Sequence, residues 1–210
     1  MIITEEMLDA LRLEVCEGMS PKRFLHTAEV EKMAAYLGSL YAPDKIPMLR
    51  AAALLHDVTK EYSYERQIEL CKQYGVKLEA DAYFAPKTLH ARTAAAIIPE
   101  RFPSFADGEI ISCVRYHTTG RADMTLCEKL IYLADYIDMS RTFEDCVKLR
   151  NYFLAAEPEK LGESERLSHL DATLIVSYDM TVRALIEEGT PVSLDTMAAR
   201  NQLIREKLSR

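Results

Sequence analysis

The chain has 210 residues, enough to bury a hydrophobic core and few enough that one domain spanning residues 1–210 is the expectation. Its 49% hydrophobic and 28% charged content excludes a disordered or low-complexity chain. A formal net charge of -7 with no Lys/Arg run argues against nucleic acid or an anionic membrane as a partner, but leaves room for a small anionic substrate drawn by bound cations.

Apolar residues recur at helical spacing almost throughout and no stretch alternates with period two, so the expected fold class is all-α, a single compact helical domain. The opening MIITEEMLDALRLEV carries acid where a secretion signal carries positive charge, and no apolar run reaches the roughly 18 residues that span a bilayer. A cytoplasmic setting follows as an expectation. Ser20-Pro21 has the form of an N-cap and a first-turn proline, opening a helix with Val30, Met33 and Leu37 on its stripe and an end near Tyr41. After the Ala42-Pro43 break, a second helix runs from about Asp44 through Leu49, Ala52 and Ala53 to Leu54-Leu55-His56-Asp57. Further helices are expected at about 63–75, 87–98, 107–117, 125–138, 143–155, 166–188 and 194–208, with breaks at Gly75, 99–103, 118–120, 158–162 and 189–191. Cys16, Cys71, Cys113, Cys127 and Cys146 are scattered without a C-x-x-C pair and read as reduced core thiols.

Four of the five histidines lie on apolar stripes: His26 with Val30 and Met33, His56 with Leu49, Ala52 and Ala53, His90 before Ala94 and Ile97, His117 after Ile110, Cys113 and Val114. A single buried histidine usually needs only one hydrogen bond, but burying four imidazoles costs desolvation that a shared metal centre would offset for all of them. Asp57 follows His56 where the helix turns polar at Thr59-Lys60-Glu61, so both side chains can reach one site. Asp135, in a helix with Leu126, Leu130 and Ile131 facing inward, needs a cation or strong donors if ionised. Imidazole and carboxylate without thiolate suits Fe, Mn, Co or Zn, and six ligands exceed what one catalytic ion takes, which points to two divalent ions with one carboxylate shared.

With these residues in place the chain resembles the HD superfamily, whose signature is a histidine, a later His-Asp pair and a distant aspartate, here His26, His56-Asp57 and Asp135. More specifically it is similar to the YqeK-type symmetrical diadenosine tetraphosphate hydrolases of bacteria over residues 22–201, through KRFLHTAEV, AALLHDVTKEY, LHARTAA, YHTTG, LADYIDMSR and DTMAARN. The resemblance implies a single HD domain in which His26, His56, Asp57 and Asp135 bind one ion, His90 and His117 bind the other, and Asp57 bridges. It implies iron as the first choice of metal, with manganese or cobalt as substitutes, and cleavage of the phosphoanhydride of diadenosine tetraphosphate into two ADP. The chain departs from the pattern at Asp138-Met139-Ser140, where relatives carry Glu-Pro before the position of Arg141, and at Ala91, where many carry glycine.

Asp57, Lys60 and Arg141 are the catalytic candidates, and Arg23, Lys60, Thr118, Thr119, Gly120 and Arg141 the candidate contacts to a nucleotide substrate. Gly120 suits the left-handed conformation that ends a helix while leaving its amide to a ligand. His169, beside Ser168 and Asp171, reads as an exposed or capping residue, and Asp195-Thr196 as a helix start with an acidic cap. Another HD-type nucleotidase or phosphodiesterase, a di-iron oxygenase and a non-catalytic nucleotide-binding module share the ligand set, and a homodimer is left open.

Overall fold

In the computed structural model, which describes residues 2–78 and 80–209, Thr4 accepts the Met7 amide and starts α1 (Glu5–Glu17) ahead of the first helix expected. Leu8, Leu11 and Val15 form its one apolar stripe and are buried, with α3 as its main neighbour. Ser20 caps α2 (Pro21–Tyr41) by accepting the Arg23 amide, with Pro21 in the first turn, as the sequence predicts. The Ser20 amide and hydroxyl in turn donate to Glu61 at 2.8 and 2.5 Å, tying the start of α2 to the turn that follows His56-Asp57.

A short 3-10 turn (Pro43–Lys45) leads into α3 (Ile46–Leu55), whose Leu49, Ala51, Ala52, Ala53, Leu54 and Leu55 are all fully buried. A helix whose only charged residue is Arg50 belongs at the centre of a layered structure, and α3 packs on α1, α2, α6 (Gly108–Tyr116) and α7 (Leu126–Ile137). Gly38 lets α2 approach it, because a Cβ there would meet Ile46 and Leu49 at 3.0 Å each.

The remaining helices are α4 (Tyr64–Gln73), α5 (Leu89–Arg101), α8 (Glu144–Ala155), α9 (Glu163–Glu187) and α10 (Leu194–Leu208), giving ten α-helices and no strand among the described residues. The fold is all-α. Four expected helix starts move by a residue because Ser63, Asp107, Thr125 and Phe143 are N-caps rather than first helical residues; Thr125 and Glu128 form a reciprocal capping box. The break expected at Pro99 falls later, since α5 carries Pro99 in its last turn and ends at Arg101. There the missing amide costs one hydrogen bond rather than a ladder. Helix α9 starts three residues early, at Glu163, behind Gly162.

Apolar side chains of all ten α-helices, among them Leu70 of α4 and Ala94, Ala95, Ile97 and Ile98 of α5, join one buried cluster. Four cysteines lie in or beside this interior, but Cys16 is exposed on α1, a correction to its reading as a core thiol. His169 is half-buried, stacks on Phe153 and donates Nε2 to the Phe153 carbonyl at 3.0 Å, so it caps the last turn of α8 instead of facing water. Ser193, not Asp195, is the N-cap of α10; Asp195 sits in the first turn, where its charge suits the helix dipole.

Candidate metal centre

The four inward histidines and two aspartates meet where helix ends converge. His26 comes from the second turn of α2, His90 from the first turn of α5, and Asp135 from the last turn of α7. His56 and His117 each stand one residue past the end of a helix, α3 and α6, and use Nδ1 on a carbonyl three residues back: Ala53 at 2.6 Å and Val114 at 2.7 Å. A carbonyl can only accept, so Nδ1 carries the proton in both rings and Nε2 is left as a lone-pair donor. The same bond satisfies a carbonyl that the helix end leaves open.

Asp57 lies between the two halves of the cluster. Its Oδ2 is 3.4 Å from His56 Nε2 and 3.8 Å from His26 Nε2, while Oδ1 is 3.1 Å from His90 Nε2 and 3.8 Å from His117 Nε2. Asp135 Oδ1 stands on the first side, 2.9 Å from His26 Nε2 and 3.7 Å from His56 Nε2. His26, His56 and Asp57 form one group with ligand spacing and Asp57, His90 and His117 another; His56, His117 and Asp135 make a group across the two halves, and His26, Asp135 and Asp138 a fourth. The Nε2 atom of His56 is buried without a hydrogen-bond partner, and that of His26 faces only the Asp135 and Asp57 carboxylates. Inward imidazole nitrogens that meet carboxylates and no other partner fit a bound cation, which would satisfy both sides at once.

The electrostatics match that donor set at Asp57, Asp135, His90 and His117, whereas His26 holds a proton that an ion would have to displace. Burial alone would raise the Asp57 carboxyl, but His56, His117 and His90 hold it well below the usual carboxylate range; Asp135 is likewise held down against its burial, chiefly by Arg141 and His26. Burial lowers His90 to about 4 and lowers His117 too, so both rings are neutral and able to ligate. For His26 burial pulls downward, yet hydrogen bonds to Asp135 and Asp138 overcome it and push the ring up to about 9.

The expected phosphate contacts divide into those that face the cluster and those that do not. Arg23 Nη1 donates to Asp57 Oδ2 at 2.7 Å, and Arg141 donates to the Asp135 carbonyl at 2.7 Å and to its Oδ1 at 2.5 Å. Both guanidiniums thus already hold carboxylates of the cluster. Lys60 Nζ lies 3.3 and 3.2 Å from the two ring nitrogens of His90, and Thr118 Oγ1 is 3.1 Å from His117 Nε2. Thr119 and Gly120 turn away: the Thr119 hydroxyl donates to the Gly120 carbonyl, the Thr119 carbonyl accepts Thr196 of α10, and the Gly120 amide donates to Tyr116 at 2.8 Å. Gly120 is left-handed as expected, φ 64°, but its amide closes the helix end rather than remaining free.

Asp138 escapes the sequence reading of the site. It is fully buried two residues from Ser140, accepts the Ser140 amide at 2.9 Å and its hydroxyl, and places Oδ2 3.4 Å from His26 Nδ1. A carboxylate behind the far nitrogen of a metal-binding imidazole orients the ring and raises its basicity. The available signal was the acid in Asp138-Met139-Ser140, which the sequence reading treats only as a departure from the pattern.

Fold and site together define a class: helical proteins that hold metal ions with histidine and aspartate. Residues 23–140 match the HD domain family, and the chain belongs to it. It is 31% identical to the symmetrical bis(5'-nucleosyl)-tetraphosphatase of Bacillus subtilis (strain 168) over 95% of this chain and 97% of that one. It is 32% identical to the protein of the same name from Staphylococcus aureus (strain NCTC 8325 / PS 47), over 79% of this chain and 84% of that one. The crystal structure of a predicted HD superfamily hydrolase involved in NAD metabolism from Clostridium acetobutylicum matches with a TM-score of 0.82 at 27% identity, covering 98% of this chain and 100% of that chain.

Proposed function

We infer that the chain is a metal-dependent phosphohydrolase that cleaves diadenosine tetraphosphate symmetrically into two ADP. The observation that carries this reading is Asp57, whose two oxygens face two separate sets of imidazoles. His26, His56, Asp57 and Asp135 would hold one divalent ion, and His90, His117 and Asp57 a second. Iron is our first choice and manganese or cobalt the substitutes, supported by a donor set of imidazole and carboxylate without thiolate. When bound, such ions acidify water and offset charge at phosphorus.

The reaction forms one bond from water oxygen to phosphorus and breaks the central phosphoanhydride bridge, in line. Around it the chain's own groups have separable tasks. Arg23 and Arg141 fix the orientation of Asp57 and Asp135 and, with 26% and 28% of their side chains exposed, are cations beside the cluster that a phosphate oxygen would meet. Lys60, which burial lowers against the pull of Asp57 and Asp135, and the Thr118 hydroxyl stand beside His90 and His117 on the side where a phosphate would lie. The nucleotide is a small-molecule partner, and no helix among the described residues is long and apolar enough to cross a membrane. Five free thiols support a reducing, cytoplasmic setting.

Incubating the metal-loaded protein with diadenosine tetraphosphate and separating products by anion-exchange chromatography tests the reading. ADP as the single nucleotide product supports it. AMP with ATP, or unchanged substrate with manganese, iron and cobalt alike, contradicts it.

A further inference from the structure

Behind the cluster lies a closed ring of three buried side chains from three segments. Gln67 of α4 donates Nε2 to the Thr59 carbonyl at 2.5 Å, the hydroxyls of Thr59 and Thr93 lie 2.8 Å apart, and Thr93 of α5 donates to Gln67 Oε1. Thr59 and Thr93 are fully buried and Gln67 is 4% exposed. With the Thr93 proton given to Gln67, the Thr59 hydroxyl donates to Thr93 Oγ1 or to the His90 carbonyl at 2.9 Å. The Gln67 amide and both hydroxyls therefore have partners within the ring or on the His90 carbonyl beside it.

The ring joins the segment that carries Asp57 to the segment that carries His90. Thr59 lies two residues after Asp57, and its hydroxyl reaches the backbone of His90 itself. The rings of His56 and His117 are oriented by carbonyls of their own chain three residues back, and His26 by Ser140 and Asp138. His90 has no such carbonyl; its ring nitrogens face Lys60, His117, Asp57 and Thr118. Its position relative to Asp57 depends on how α5 is held against the turn at 57–62. For stability alone, apolar side chains of the same shape would serve about as well as this ring, whereas directional hydrogen bonds set a geometry.

We propose that Gln67 is a positioning residue that, through Thr59 and Thr93, sets the separation of Asp57 and His90 and so the affinity of the ion held by Asp57, His90 and His117. This rests on the two-ion reading above. Outer partners of metal ligands typically contribute about 10- to 100-fold in affinity. The test is a manganese titration of metal-free protein, read by bound-metal analysis and calorimetry, on the wild type, Gln67→Leu, Thr93→Val and Thr93→Ser, with a thermal melt of each. The proposal requires two ions on the wild type, one of them weakened about 10- to 100-fold in Gln67→Leu and in Thr93→Val while the other is unchanged, and wild-type behaviour in Thr93→Ser, which keeps the hydroxyl. Equal affinities in all four proteins with only a lowered melt, or both ions weakened alike, would overturn it. So would unfolding of both Gln67→Leu and Thr93→Val, which would make the ring a stability element. A wild type that binds no ion overturns the two-ion reading itself, and the positioning role with it.

Discussion

Replacing Gly120 by alanine would place a methyl group 2.0 Å from Tyr178 Oη and 2.9 Å from Tyr178 Cζ, in a backbone with φ 64°. Tyr178 is fully buried and its hydroxyl contacts Met124 Sδ at 3.2 Å, so the ring has little room to retreat. Left-handed backbone costs an alanine about 1–2 kcal/mol, and overpacking of a dense interior adds about 1–3 kcal/mol. The sum is about 2–5 kcal/mol, and at about 2–4 °C per kcal/mol for a chain of this length the melt should fall by about 4–20 °C. Circular dichroism melts of metal-free Gly120→Ala against wild type measure it, and a Tyr178→Phe background separates the two causes. Removing the hydroxyl relieves the closest contact and leaves the backbone strain, so the penalty should shrink to about 1–2 kcal/mol plus the residual contact with the ring. A Gly120→Ala melt within about 1 °C of wild type, or a penalty the same with and without the Tyr178 hydroxyl, would refute the argument.

Asp57→Asn keeps the shape but removes the charge shared by both halves of the cluster; bound-metal analysis should find fewer than two ions, and hydrolysis should fall by more than the about 100-fold that loss of an outer partner costs. The raised His26 pKa makes a signed prediction for the metal-free protein. Its stabilising contribution is fully present below about 6.5 and is lost as pH rises through about 9, so melts without metal should decline across that window. Manganese affinity should rise across the same window, because binding displaces the His26 proton; a metal-free melt that climbs from pH 7 to pH 9 would contradict both. Of the five thiols, Cys16 alone should react quickly with a thiol reagent in the native protein, since Cys71, Cys113, Cys127 and Cys146 are buried with their thiols pushed up by burial, and all five should react in denaturant.

The convergence of the six cluster side chains was legible because five of them carry a pattern that solvent-facing residues lack, and Asp57 adjoins one of the five. His26, His56, His90 and His117 each interrupt an apolar stripe, and Asp135 follows Leu133 and Ala134. Stripe position states that a side chain points inward, and four inward imidazoles have few other partners. The helices were legible for the same reason, while α1 ahead of Ser20 was passed over and Pro99 was read as a stop although it sits in the last turn of α5. Turns are a different matter. Thr118 and Thr119 are neighbours, yet one hydroxyl faces His117 and the other folds back on Gly120, because direction in a turn depends on φ and ψ that no periodicity encodes. Asp138 was missed on the same ground, one residue beyond the end of α7. Arg23 and Arg141 were near enough in sequence to be noticed, but nearness could not say that each would bond to a carboxylate of the cluster.

Anomalous diffraction from a crystal of this protein loaded with manganese or iron bears most directly on the whole. Two peaks are predicted, one among His26, His56 and Asp135 and one between His90 and His117, each within bonding distance of a different oxygen of Asp57. A single peak, or ions away from Asp57, would contradict the shared-carboxylate centre on which the proposed hydrolysis depends.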